Sequence, residues 1–305
     1  MKTPAPPYRI QSVSEQHRLL SLPGPTHPLI SLVNFADVPP VPVSEPVRFS
    51  MSFYTITLKK GCTCKIKYGQ HAYDFDQGVL SFMAPDQVVT WETNDATPPA
   101  GWLLVVHPDL LRSHALGQKI KQYGFFDYAL YEALHLSEIE EAHVDGVLTQ
   151  LANELSRPID LYSQDVLLAH LDLLLSYANR FYNRQFITRQ PAQIDLLSRL
   201  NQVLADYIWG EPIREQGLPT VRYVADQLNM SPTYLSDLLK KLTGQRTQQH
   251  IHNALIERAK DLLLSSPLSV SEIAFCLGFE HAPSFSKLFK QKTALSPLDY
   301  RLSTN

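Results

Sequence analysis

The chain has 305 residues, 44% of them hydrophobic and 19% charged, which leaves room for two packed cores and excludes a disordered or fibrous class. Its net charge of −3 gives no signal for nucleic acid, and 3 cysteines are too few for a disulfide scaffold. No apolar run reaches the length of about eighteen residues that a membrane span needs, and MKTPAPPYRI lacks the apolar core of a signal peptide, so a cytoplasmic location is expected.

Residues 1 to 46 hold 10 of the 22 prolines, in PAPP, PGPTHP and VPPVPVSEP. Proline removes a backbone donor and fixes φ, so this stretch reads as an extended arm and loop. From Arg48 to about His107 the texture changes to short β-type runs, FSMSFYTITL, TCKIKY, HAYDF, GVLSFM, QVVTWE and GWLLVVH. Turn residues at Lys60-Gly61, Tyr68-Gly69 and Asp76-Gln77-Gly78 separate them, and many short strands at close spacing predict a small antiparallel barrel or jelly roll. Cys62 and Cys64 share one strand face and His71 follows a turn. They read as two buried thiols in a reduced compartment, with a soft-metal or redox site as the rival. His107-Pro108 ends a strand and opens a helix, so His107 reads as structural or ligand-adjacent; no nucleophile or paired carboxylate beside it suggests catalysis.

Two long helices follow. Ser137 caps the first, to Leu155, with Glu140 as capping-box partner and Val144, Val147, Leu148 and Leu151 on one face. The second runs from about Leu161 to Asn183. Its Leu167, Leu171, Leu174, Ala178 and Phe181 have the spacing of a coiled-coil seam, which suits either an intramolecular hairpin or a dimer interface. NRQFITRQPAQ, Asn183 to Gln193, is polar and carries a proline, and reads as an interdomain linker.

The C-terminal third contains a repeat. Val221, Val224, Ala225 and Leu228 match Val270, Ile273, Ala274 and Leu277 at an offset of 49, and Leu235, Leu238, Leu239 and Lys240 match Phe285, Leu288, Phe289 and Lys290 at an offset of 50. Each copy is a short amphipathic helix, a tight turn and a basic-faced second helix, the pattern of a helix-turn-helix. Thr220 is a candidate cap for the first copy, and Gly278 stops the first helix of the second. From Asp195 onward there are 12 Lys+Arg against 11 Asp+Glu, a net of +1, and the remainder carries −4. Contact with phosphate therefore requires the cations Lys240, Lys241, Arg246, Lys287, Lys290 and Lys292 to share one face.

IAFCLGF, FSKLFKQKT and the closing SPLDYR at Ser296 to Arg301 resemble the DNA-binding domain of AraC/XylS-type transcriptional regulators, over about Ile194 to Leu302. The resemblance implies a helical domain with two helix-turn-helix units, a linker helix from roughly Thr247 to Leu264, and recognition helices in successive major-groove segments. Ala294 departs from it, since the family usually places glycine there, so the second stop is expected to be looser or to use another geometry. For the first half the resemblance is one of architecture, with GWLLVVHPDLL the most similar phrase. It implies a cupin-type sensor domain, a homodimer, an arm that closes over an effector, and contact with RNA polymerase as a further partner.

The expected fold is therefore α+β: an N-terminal cupin-like β-barrel with two long helices, then an all-α tandem helix-turn-helix domain. The divisions are an arm at 1–46, a sensor and dimerisation domain at 47–185, a linker at 186–193 and a DNA-binding domain at 194–305. Carried over position by position, the base-facing candidates are Thr233, Ser236 and Asp237 in the first recognition helix and Ser284, Ser286 and Lys287 in the second, with Lys240 and Lys290 among the phosphate contacts. Phe53, Tyr54, Tyr73 and Trp91 are the candidates for lining an effector site, the effector itself being unidentified. No cofactor, metal ligand or catalytic residue is assigned, because the HxH start of metal-dependent cupins is missing. The expected function is sequence-specific regulation through double-stranded DNA, without membrane or enzyme activity. The alternative is a cupin-type metal enzyme with an accessory helical domain.

Overall fold

The computed structural model describes residues 7–39, 47–60, 66–68, 71–73, 78–91, 100–188 and 190–303; at 47, 66–68, 71–73, 90, 91, 188 and 190–194 it describes the backbone alone. The chain divides into two compact units, Met1–Gln185 and Phe186–Asn305. The strands are β1 (Tyr8–Ile10), β2 (Ile30–Asn34), β3 (Val47–Met51), β4 (Tyr54–Lys60), β5 (Ile66–Tyr68), β6 (His71–Tyr73), β7 (Val79–Met83), β8 (Val88–Trp91), β9 (Ala100–Val106) and β10 (Leu134–His135). The helices that begin in the first unit are α1 (Val13–Leu19), the short α2 (Leu116–Lys119), α3 (Glu138–Leu155) and α4 (Ser163–Thr188).

Five strands form an antiparallel sheet in the order β10-β7-β4-β9-β2, three form a second in the order β1-β3-β8, and β5 pairs with β6. In the large sheet Ile56 stands opposite Phe82 and Leu104, and Leu58 opposite Leu80 and Trp102. This apolar row is closed by helices and turns: Phe82 packs on Phe125 with ring centroids 4.5 Å apart, and Trp102 donates Nε1–H to Asp145 of α3 at 2.8 Å. The opposite pleat carries Val105 and Met83, which pack with Phe53, Met51, Ile10 and Val13. Both faces of the sheet are thus covered, one by helices and one by the smaller sheet with α1.

Two expectations change here. The run FSMSFYTITL is two strands in different sheets, β3 and β4, with Ser52-Phe53 as the corner, and among the described residues the strands close no barrel. The arm expected over 1–46 also contains ordered structure. It supplies β1, α1 and β2, with Val13 and Ile30 fully buried, because its prolines fall between these elements and leave the ladder donors of Ile30–Asn34 available to β9.

The capping box of α3 is present: Ser137 Oγ accepts the Glu140 N–H at 3.3 Å and the Glu140 carboxylate accepts the Ser137 N–H at 2.9 Å. Arg184 of α4 grips the same carboxylate through two nitrogens, at 2.9 and 2.7 Å, and donates to the His135 carbonyl of β10 at 2.7 Å. On α4, Leu167, Leu171, Leu174, Ala178 and Phe181 are all buried within the single chain. That stripe is intramolecular core and leaves no free seam for a partner helix. The backbone expected as a linker is helical as well, α4 running to Thr188 and α5 (Gln190–Trp209) starting two residues later; Arg189 lies outside the described residues.

The second unit continues with α6 (Pro212–Gln216), α7 (Val221–Gln227), α8 (Pro232–Thr243), α9 (Thr247–Ser265), α10 (Val270–Cys276), α11 (Ala282–Thr293) and α12 (Pro297–Ser303). Leu200, Leu204 and Ile208 form the buried stripe of α5. Ile273, Ala274, Leu277, Phe285 and Phe289 pack with Ile256, Ala259 and Leu263 of α9 into one cluster, so the central helix is the wall on which the second helix-turn-helix is built.

Candidate nucleic-acid interface

Each short helix pair is set by its caps. Thr220 Oγ1 accepts the Tyr223 N–H at 3.1 Å to open α7, and Ser231 Oγ accepts the Tyr234 N–H at 3.3 Å to open α8. In the second copy Ser269 and Glu272 form a reciprocal capping box on α10, and Pro283 occupies the first turn of α11. Gly278 ends α10 with φ +77, so close to the chain at Gly217 that a Cβ would lie 2.7 Å from its carbonyl carbon. Only glycine fits there.

The two recognition helices, α8 and α11, end identically. Gly244 has φ 76 and ψ −2 and donates its N–H to Lys240 O; Ala294 has φ 64 and ψ −5 and donates to Lys290 O. The second stop therefore uses the same left-handed geometry as the first, contrary to the expectation from its alanine.

With Leu235, Leu238, Leu239, Phe285 and Phe289 turned into the core, the other face of each recognition helix stays accessible. On α11, Ser284, Lys287 and Lys290 are exposed and Ser286 is half-buried; on α8, Lys240 is exposed and Thr233, Ser236 and Asp237 are half-buried. Among the described residues no carboxylate forms a salt bridge with Lys240, Lys287 or Lys290, which leaves their charge for an external anion. Ser236 is different: its hydroxyl lies 3.0 Å from Thr247 Oγ1 at the start of α9, so it also fixes α8 against the central helix.

Sequence reasoning missed the groups that hold the two copies together. Asn253, about a third of the way along α9, donates to Gln245 Oε1 beyond α8 at 2.9 Å and accepts from Lys292 Nζ of α11 at 2.8 Å. This chain links the C-terminal ends of both recognition helices through one side chain, and it assigns Lys292 a structural partner in addition to any phosphate. His252 nearby is held below the usual imidazole range by burial and then by the charge of Lys292. Arg301 donates to the carbonyls of Leu263 at 2.9 Å and Leu268 at 2.7 Å, satisfying backbone at and beyond the end of α9 and fastening α12 there. No periodicity marks either residue, since each is defined by partners 33 to 39 positions away, except Gln245 at 8.

In the first unit, Phe53 is fully buried in core and has no surface to offer an effector, a correction to its assignment. Tyr54 is half-buried and borders a cavity. The side chains of Tyr73 and Trp91 lie outside the described residues, as do Cys62 and Cys64. His107 caps the turn after β9, its Nδ1 accepting the Asp109 N–H at 3.3 Å. Among the described residues no three His, Cys, Asp or Glu side chains are grouped to hold a metal ion, and no helix is long and apolar enough to cross a membrane.

Two helix-turn-helix units on a shared central helix, each presenting exposed cations on its second helix, define a tandem helix-turn-helix domain of the DNA-binding type. A family model described as "Helix-turn-helix domain" matches residues 224–303, from within α7 through α12. The uncharacterized HTH-type transcriptional regulator YijO of Escherichia coli K12 is 27% identical over 193 residues, covering 63% of this chain and 64% of that protein. The HTH-type transcriptional activator RhaS of Escherichia coli O1:K1 is 37% identical over 78 residues, 26% of this chain and 28% of that one. The solved C-terminal domain of the response regulator yesN from Fusobacterium nucleatum is 31% identical, covering 33% of this chain and 96% of that structure, with a TM-score of 0.29. The match spans less than two thirds of the length of these curated relatives. Over its second unit the chain is similar to the DNA-binding domain of AraC/XylS-type transcriptional regulators.

Proposed function

We propose that the chain is a sequence-specific transcriptional regulator that binds double-stranded DNA through its second unit and is controlled by a small-molecule effector held in its first. The observation that carries this is the pair of recognition helices, α8 and α11, with Lys240, Lys287 and Lys290 exposed and without a carboxylate partner. Thr233, Ser236, Asp237, Ser284, Ser286 and Lys287 are the proposed base-facing set. Short hydroxyls serve donor or acceptor edges, Asp accepts from cytosine N4 and Lys donates to guanine. Homodimerisation, a cytoplasmic location and contact with RNA polymerase belong to the same reading. The dimer interface, however, is placed away from the buried stripe of α4; Leu161 at 85% exposure and Tyr162 at 67% are apolar side chains available at its start.

The rival, a cupin-type metal enzyme, has in its favour only the sheet of the first unit, whereas the relatives named above are transcriptional regulators. DNA titrations at several salt concentrations test the proposal. Lys290→Ala should weaken all sequences alike and reduce the salt slope by about one unit, while Lys287→Ala should relax preference at one base pair at a cost of about 1–3 kcal/mol. Unchanged affinity in both variants would remove α11 from the groove.

A further inference from the structure

After β9 the chain from Pro108 to Lys121 folds beside Tyr54 and borders a half-open cavity of about 420 Å³ in the first unit. Its floor is preformed. Leu111 and Ile120, each 2% exposed, are packed into the core beneath it, and the apolar surface open to the cavity is that of Pro108 and of Tyr54, whose ring is held edge-on by Phe126 with centroids 5.1 Å apart. Its other wall is polar: Gln118, Arg112 and Lys121 line it, with the carboxylates of Asp109 and Asp127 close by but not among the lining side chains. Asp109 takes the Arg112 Nε–H at 2.8 Å, which leaves both Nη groups of a side chain 78% exposed. Burial, and then the charge of Asp127, push the Tyr54 phenol up. A small apolar floor facing donors and cations is complementary to a molecule with an apolar body and an anionic end.

We propose that this cavity is a binding site for a small amphipathic organic anion, its apolar body against Tyr54 and Pro108 and its charged group between Arg112 and Lys121. The site lies at the helical end of the sheet. Of the four side chains that sequence reasoning offered for an effector, Tyr54 borders it and Phe53 is core. Occupancy has a route to α4, because the segment that borders the cavity is fastened to that helix: Lys119 Nζ donates to Asp172 at 2.5 Å and Gln164 Nε2 donates to the Leu110 carbonyl at 3.3 Å. The regulatory consequence rests on the effector reading above; the binding site itself does not.

Calorimetric titration of the full-length protein with 1-naphthoate and with its neutral analogue 1-naphthylmethanol tests the site without DNA. The acid should bind one per chain, and the alcohol roughly tenfold or more weakly. The double variant Arg112→Glu/Lys121→Glu, at exposed positions and checked by circular dichroism, should lose the acid by a similar factor while keeping the weak binding of the alcohol. No binding of the acid, equal binding of both compounds, or full affinity in the double variant overturns the proposal. Operator affinity measured with and without saturating 1-naphthoate then separates the two readings. A change supports control through this site, and no change with intact 1-naphthoate binding leaves the site standing and refutes its regulatory role.

Discussion

Ala294→Gly should stabilise the second unit. Ala294 sits in the left-handed region at φ 64 and ψ −5, a conformation that costs an L-residue about 1–2 kcal/mol. Gly244 occupies the equivalent position in the first copy at φ 76 and ψ −2, with the same N–H bond back to the fourth residue before it. The threonines before them match as well, Thr243 donating to Leu239 O at 2.9 Å and Thr293 to Phe289 O at 2.8 Å. Glycine would remove the strain, lose only an exposed methyl group, and cost about 0.5–1 kcal/mol in unfolded-state entropy. The net is a gain of about 0.5–1 kcal/mol, and for a unit of 120 residues this raises the melting temperature by about 2–4 °C. Gly244→Ala is the mirror experiment. A Cβ there meets nothing within 4 Å, so the change should cost the same amount through φ alone. Calorimetry of the full chain, with the second-unit transition identified by its shift on adding DNA, reads both variants. An unchanged or lowered transition for Ala294→Gly would refute the reasoning.

Gly278→Ala should be far worse than Gly244→Ala, because strain adds to an overlap with the backbone at Gly217, 2.7 Å away; a loss of about 2–5 kcal/mol in thermal or urea unfolding is expected, and a loss under about 1 kcal/mol would contradict the packing. Leu171→Asp should unfold the first unit and not yield a folded monomer, since Leu171 is 0% exposed and truncation alone there costs about 2–5 kcal/mol; sedimentation with circular dichroism separates the two outcomes. Asn253→Ala should leave the fold intact but loosen the register of the two recognition helices. Operators with one base pair inserted between the two contacted segments should then be discriminated less sharply than by the parent, and equal discrimination would assign Asn253 a purely local role.

The second unit was legible because its signals are local. Stripes at i, i+3, i+4 and i+7 with Thr220 as cap mark helices whichever partner they meet, and duplication of the pattern fixed the motif. The same locality misled on α4, where Leu167, Leu171 and Leu174 have the spacing of a coiled-coil seam but are buried by their own chain. Periodicity says which face is apolar and not what covers it. The corner at Ser52-Phe53 was invisible for a related reason: nothing in FSMSFYTITL punctuates it, and only pairing of β3 with β8 and of β4 with β7 and β9 separates the strands. In the arm, proline content hid β2, whose five residues contain none and whose ladder to β9 depends on residues some seventy positions away. Asn253, Arg301 and the cavity beside Tyr54 are likewise products of tertiary contact.

Selection of bound duplexes from a random library by the purified full-length protein tests the central claim most directly. Two recognition helices entering successive major-groove segments predict that each bound chain specifies two short conserved blocks with centres about 10 bp apart, and that Lys287→Ala blurs one block and leaves the other intact. Recovery of no enriched sequence, or of a single block that Lys287→Ala does not alter, would contradict the account.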